Sequence, residues 1–177
     1  YQKLNTPTIW CMAKSGDKTW IGTAKGLYVL EGETVKCLLP EIEIFKLFVS
    51  SRNELWIASR MRGLYKIGRD GILKKEISAS DRVVSEQIRS FVEDDQNNVW
   101  FGTFDGLQMY RPSTDTYCVY RPNFHPGSLS HESVFSLYKD RQGTIWVGTY
   151  YGGVNYFNLK KDLFKYYVYA EANNNCL

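Results

Sequence analysis

Histidine is almost absent from this chain: His125 and His131 are the only two in 177 residues. They lie six apart in one stretch, no cysteine is near, and Glu132 is the closest carboxylate, a spacing that fits no standard metal motif. Cysteine is scarce too. Cys11, Cys37, Cys118 and Cys176 are scattered, with none of the paired spacing of a zinc site or redox motif. A surplus of one charge is missing: the net charge is +3 with Lys, Arg, Asp and Glu interspersed, so no nucleic-acid partner is expected. No apolar run approaches the ~18 residues of a membrane span. No basic start followed by an apolar stretch marks an export signal in the chain as given. We therefore expect no membrane contact in this segment. No phosphate-cradling glycine loop precedes a helix, and Asp94, Asp95 and Asp140 recur at turns, which suits turn capping more than acid–base work. No catalytic residue, metal or cofactor is expected, and the segment reads as non-enzymatic.

What the chain has in abundance is aromatic residues, 15% of the total. Four of the five tryptophans occupy one recurring phrase: Trp20-Ile21-Gly22-Thr23, Trp56-Ile57-Ala58-Ser59, Trp100-Phe101-Gly102-Thr103 and Trp146-Val147-Gly148-Thr149. They are 36, 44 and 46 residues apart. A repeat of that length with one aromatic anchor per unit signals a propeller or solenoid.

Each unit reads as four short strands. The first carries apolar residues twelve and nine positions before the tryptophan: Ile44 and Leu47, Ile88 and Phe91, Val134 and Leu137, with Thr8 and Cys11 a poorer fit in copy one. A polar hairpin turn follows, as in Ser15-Gly16-Asp17-Lys18 or Arg141-Gln142-Gly143. The tryptophan phrase is the second strand, β-branched and aromatic between turn residues. Gly22, Gly102 and Gly148, with Ala58 in copy two, keep one position small, as close approach of a neighbouring blade requires. The third strand opens on Leu27, Leu64, Leu107 or Val154, and the fourth is clear as Tyr117 to Tyr120 and Phe164 to Tyr167. In copy two Ile72, Leu73 and Ile77 allow more than one register. Asp81 to Val92 has helix-like spacing, but register places a loop at 78–87 and a strand at 88–93. Aligned this way, Cys11 falls in the Leu47 column and Cys37 in the Tyr117 column, so both read as small hydrophobes; Cys176 reads as exposed.

The fold expected is all-β, with β-propeller blades in four four-stranded antiparallel repeats at about 1–40, 41–80, 81–122 and 123–172 and a linker at 173–177. Four is the low end of the ~4–8 blades of closed propellers, so a fragment of a larger propeller is expected.

The phrases Asp140-Arg141-Gln142-Gly143-Thr144-Ile145-Trp146-Val147-Gly148-Thr149 and Gly152-Gly153-Val154-Asn155-Tyr156-Phe157 closely resemble the two-component regulator propeller repeat. Pro126-Gly127-Ser128-Leu129-Ser130 is similar to that family's inter-blade connection, while Ala58-Ser59-Arg60-Met61-Arg62 departs from its Gly-Thr pattern. The resemblance covers essentially the whole chain. It implies a seven-bladed propeller, often in tandem, in the periplasmic sensor region of a hybrid two-component system whose immunoglobulin-like domain, membrane span, histidine kinase and regulator are not in this chain. That sensor region detects oligosaccharides from polysaccharide breakdown and signals through a dimer.

In propellers, ligands commonly meet the loops between strands two and three and between blades. Those loops carry Lys25, Arg60, Arg62, Phe104, Asp105, Tyr150 and Tyr151, with His125 and His131 between blades. Aromatic faces stack on sugar rings, and Arg60 and Arg62 suit a sulfated or uronic-acid sugar. An oligosaccharide ligand and self-association are the expected partners. The alternatives are purely scaffolding blades with the sugar site elsewhere, and, less favoured, a propeller lyase or hydrolase.

Overall fold

Period-two runs of β-branched and aromatic residues, broken by glycine, asparagine and aspartate at positive φ, fold as strands and tight turns throughout. The computed structural model describes residues 8–77, 87–125, 127–159 and 162–167, and shows sixteen strands and no helix among them. Blade 1 comprises β1 (Ile9–Ser15), β2 (Lys18–Thr23), β3 (Gly26–Glu31) and β4 (Thr34–Pro40). Blade 2 comprises β5 (Ile44–Val49), β6 (Leu55–Ser59), β7 (Leu64–Ile67) and β8 (Leu73–Ile77). Blade 3 has β9 (Ser90–Glu93), β10 (Val99–Thr103), β11 (Gly106–Arg111) and β12 (Thr116–Tyr120). Blade 4 has β13 (Val134–Lys139), β14 (Ile145–Thr149), β15 (Val154–Asn158) and β16 (Asp162–Tyr167). In every sheet the spatial order is the chain order, all antiparallel.

The chain divides into two compact units, one holding blades 1 and 2 and the other blades 3 and 4. In the first unit, the tryptophan face of blade 1 (Trp20, Leu27, Val29 and Leu39) is buried together with Ile44, Leu47, Ile57 and Tyr65 of blade 2. In the second, Trp100, Leu107 and Met109 of blade 3 are buried with Val134, Ile145, Val147 and Phe157 of blade 4. Trp100 stacks on Tyr120 at 5.4 Å and tilts against Phe157 at 4.7 Å. The same rule holds in both units: a tryptophan face packs on the opposite face of the next blade. Each buried large apolar side chain contributes about 1.5–3 kcal/mol, so these layers hold the sheets together. The glycine of the phrase is where the layers meet. A Cβ on Gly22 would lie 2.8 Å from Ile44 Cγ2, and one on Gly102 2.6 Å from Val134 Cγ1.

The recurring turn aspartates are structural. Asp94 is buried and accepts hydrogen bonds from Gln96 N (2.8 Å), Asn98 N (2.9 Å), Asn98 Nδ2 (2.8 Å) and the Trp100 indole N–H (2.7 Å). Asp140 repeats the motif with Gln142 N (2.9 Å), Thr144 N (2.9 Å) and Trp146 Nε1 (2.9 Å). Each carboxylate thus fastens its turn to the anchor of the next strand. Blade 1 has Ser15 at this position by register, and the buried Trp20 indole N–H finds no acceptor among the described residues. The Trp146 N–H, with the backbone donors, holds the Asp140 carboxyl below its ordinary 3.8. A depressed folded-state value contributes stability above pH 3.8 that is lost as pH falls through the lower folded value. The stability difference between the native chain and Asp140→Asn should therefore shrink on acidification below that pH. Urea titrations at a series of acidic pH values measure it, and a constant difference would contradict the linkage.

Three sequence expectations need correction. Cys11 pairs with Gly22, so it occupies the place of Lys46, Ser90 and Ser136 rather than that of Leu47, which pairs with Ile57. The two-residue turn Gly16-Asp17 closes this hairpin one residue earlier than in the other blades, and a one-residue slip changes the face a side chain occupies. The thiol is still partly buried against the first core, and burial pushes it up to about 11. Cys37 is exposed rather than a packed hydrophobe. Its hairpin turn, Gly32-Glu33, is two residues shorter than residues 112–115 in blade 3, so Val35 takes the place of Tyr117. The strand placed at 88–93 begins at Ser90, with Ile88 buried just ahead of it. In blade 2 the open register resolves as Ile67 on Leu73 and Leu64 on Ile77, leaving Ile72 outside the strand. Residues 78–86, Cys176 and the stretch 173–177 lie outside the described residues.

Candidate functional site

The loop after each tryptophan phrase is built the same way in all four blades. The hydroxyls of Thr23, Ser59, Thr103 and Thr149 donate to the carbonyls of Gly26, Gly63, Gly106 and Gly153, each at 2.9 Å. In three blades the same oxygen accepts a loop N–H, from Lys25 (3.1 Å), Arg62 (2.8 Å) or Asp105 (3.1 Å). The loop is also tied to the segment entering its own blade: Ala24, Arg60 and Tyr150 N–H donate to the carbonyls of Thr8 (3.1 Å), Glu43 (3.0 Å) and Ser133 (2.9 Å). With the backbone this well satisfied, the loop side chains are held at the surface on a rigid frame. A Ser or Thr at the fourth place of the phrase in every copy was the visible signal for this brace, and the sequence reading did not use it.

In the first unit Lys25, Arg60 and Arg62 are all exposed. Arg60 Nη1 lies 3.1 Å from Glu43 Oε1, so its charge is already partnered. In the second unit Phe104 is exposed and Asp105 is engaged by Arg121 through two contacts of 3.3 Å. Tyr150 and Tyr151 are 59% and 78% exposed, their rings edge to face at 4.4 Å. The His131 ring sits 6.2 Å from Tyr151. His131 Nδ1 accepts the Ser133 N–H at 3.0 Å, which leaves Nε2 to carry the proton of the neutral ring. The structure therefore brings together His131, Tyr150 and Tyr151. His125 is exposed in the bend before them, its N–H bound to Asn123 Oδ1 at 2.9 Å.

Two residues that the sequence reading quoted only within a family phrase, and not as site residues, position His131. Asn155, fully buried on β15, accepts the Ser130 N–H at 2.9 Å and donates to Ser130 Oγ at 2.7 Å. Gly152 lets the connection close in: a Cβ there would stand 2.6 Å from His131 Cβ and 2.7 Å from Ser130 Oγ. A second omission is the β-bulge that opens the first strand of blades 1, 2 and 4. The bulged residues are Trp10, Phe45 and Phe135, all exposed aromatics, and Trp10 and Phe45 are 6.1 Å apart. Bulges re-aim side chains in this way. Among the described residues, no three His, Cys, Asp or Glu side chains converge as a metal site would need.

Sequential four-stranded antiparallel sheets, with a tryptophan face packed on the next blade within each unit, are the blades of a β-propeller. Residues 83–105 and 128–151 match the family described as two component regulator propeller, so these two stretches are similar to its repeat. Among solved structures, the chain is similar to one described as the extracellular domain of a hybrid two component system from B. thetaiotaomicron. That match has 22% identity and a TM-score of 0.74, over 100% of this chain and 24% of that one. It is also similar to virginiamycin B lyase from Staphylococcus aureus, at 14% identity and a TM-score of 0.67, over 93% of this chain and 58% of that one. A third likeness is to YCF48 from Cyanidioschyzon merolae, at 12% identity and a TM-score of 0.66, over 96% and 59%. At these identities the likeness is one of fold. No curated protein matches the chain.

Proposed function

We propose that these blades are a ligand-sensing, non-enzymatic segment of the extracytoplasmic propeller of a hybrid two-component sensor. The ligand class is an oligosaccharide released by polysaccharide breakdown, and its binding is passed on through the packing of two protomers. The observation that carries this reading is the cluster of Tyr150, Tyr151 and His131. Two exposed tyrosine faces on a braced loop, with an imidazole N–H beside them, offer the stacking surface and hydrogen-bonding group that a sugar needs. The family of the repeats supports the sensor context and, with it, a periplasmic location. For an acidic sugar Arg62 is the better contact, because a ligand reaching Arg60 must first displace Glu43.

Calorimetric titration of neutral and acidic oligosaccharides tests the reading. We expect Tyr151→Ala to weaken binding about tenfold, the loss of one stacking contact of about 1–1.5 kcal/mol. Thermal unfolding should change little, since the ring is exposed. Unchanged affinity in Tyr151→Ala would remove the site from this loop, and turnover of the bound glycan would favour a lyase or hydrolase. Absence of binding across the panel would favour the scaffolding reading.

A further inference from the structure

The loops between strands two and three of blades 3 and 4 carry an aromatic at the same place. Phe104 and Tyr150 directly follow the braced hydroxyls of Thr103 and Thr149, where blades 1 and 2 have Ala24 and Arg60. Both loops are fastened to one short stretch of chain. Gly106 N–H donates to the Glu132 carbonyl at 2.7 Å, and Tyr150 N–H to the Ser133 carbonyl at 2.9 Å. The two sheets share one core, and sheets packed face to face lie about 10 Å apart. The loops are therefore held about that far from each other, with residues 132–133 bonded to both. That gap is wider than one sugar ring. Phe104 is 43% exposed with blade 4 packed beside its sheet.

Phe104 also has polar company. The Arg121 guanidinium meets both carboxylate oxygens of Asp105, Nε to Oδ1 and Nη2 to Oδ2, each at 3.3 Å. Gly106 lets Arg121 lie close, since a Cβ there would stand 3.4 Å from Arg121 Cγ. The side chains of Arg121 and Asp105 keep 45% and 31% of their surface, so donors and acceptors of the pair still face solvent. An aromatic face beside a paired guanidinium and carboxylate suits a ring bearing hydroxyls. An anionic sugar would have to compete with Asp105 for Arg121, beside the exposed Glu132. We propose that Phe104, Asp105 and Arg121 form a second subsite, joined to Tyr150, Tyr151 and His131 across residues 131–133. The pair of subsites takes a neutral oligosaccharide chain laid from one blade to the next, whereas a single sugar fills only one. This inference rests on the sugar reading and adds chain length and charge to it.

Calorimetric titration of the full chain against sugars of graded length is the experiment. The probes are cello-, xylo-, manno-, malto- and fructo-oligosaccharides and oligogalacturonates, each from the monosaccharide upwards. Affinity for a neutral series should rise about tenfold once its chain reaches Phe104, the gain of one stacking contact. Phe104→Ala should abolish that rise and leave the shortest sugars that bind unaffected. Phe104→Tyr keeps a ring and should restore it. Thermal unfolding should change little in either variant, because the side chain is exposed. Tyr151→Ala should weaken short and long chains alike. If Tyr151→Ala weakens binding and Phe104→Ala does not at any length, the second subsite is overturned and the tyrosine site stands. A loss at every length in Phe104→Ala also overturns it, since both loops would then share one ring. Indifference to both variants, or no binding by any probe, overturns this inference together with the sugar reading. An equal gain with length for oligogalacturonates overturns the neutral specificity.

Discussion

Replacing Asp94 by alanine should cost the chain about 3–4 kcal/mol, more than any other polar substitution. The carboxylate is buried and receives four hydrogen bonds, from Gln96 N, Asn98 N, Asn98 Nδ2 and Trp100 Nε1. Alanine would leave those donors without their acceptor, two of them belonging to the buried side chains Asn98 and Trp100. A bond to a charged acceptor contributes about 1.5–3 kcal/mol, and the four are not additive because relaxation and water recover part of the loss. Asp94→Asn keeps one carbonyl acceptor and should lose less. Urea unfolding followed by tryptophan fluorescence measures both. A loss under about 1 kcal/mol for the alanine variant would mean that the turn is held by its backbone alone.

Trp100→Ala should be comparably severe, at about 3–5 kcal/mol, and the same change at Trp146 should cost about 1 kcal/mol. Both residues occupy the same place in the same phrase, and both donate to a turn aspartate. What differs is the cover. Trp100 is enclosed by Tyr120 and Phe157 within a two-sheet core, so its removal leaves a cavity. Trp146 is only partly buried among the described residues and stacks on Tyr156 within its own sheet, so its removal leaves less of a cavity. Because Trp100 shares its hydrogen bond with Asp94, the Asp94→Ala, Trp100→Ala double variant should lose less than the sum of the two singles. Urea unfolding of the two variants measures the difference, and equal losses would mean that Trp146 is enclosed as fully as Trp100.

The architecture was legible because the repeat states it four times. The glycine column at 22, 102 and 148 announced close approach, and at Gly22 and Gly102 the next blade is what approaches. Turn lengths were not legible to the same degree. Counting back from Trp20 assumed one hairpin length for all copies, and the two-residue turn of blade 1 moved Cys11 off its column. The candidate site was visible as residue types, not as an arrangement. Nothing in the sequence links Arg60 to Glu43 or Asp105 to Arg121, pairs 17 and 16 residues apart across a loop junction. Asn155 was read only as part of a family phrase, because a buried asparagine on a strand looks ordinary until its partner, Ser130, is seen. The bulge aromatics escaped because a bulge breaks the alternation by which strand faces are read.

The direction of blade packing also decides what a ribosome exposes. Blade 1 has completed its own ladder once the chain has reached Pro40, yet its tryptophan face is closed only by residues of blade 2, from Ile44 to Ile67. Blade 3 waits in the same way for Val134 to Phe157 of blade 4. Within each unit, then, the newest finished blade carries an open apolar face that only later synthesis can cover. At about 5–20 residues per second the interval is a few seconds, long compared with the collapse of so local a sheet. Slow codons placed soon after residue 40 or 120 would lengthen that exposure, and nascent chains stalled there should be the ones that chaperones hold.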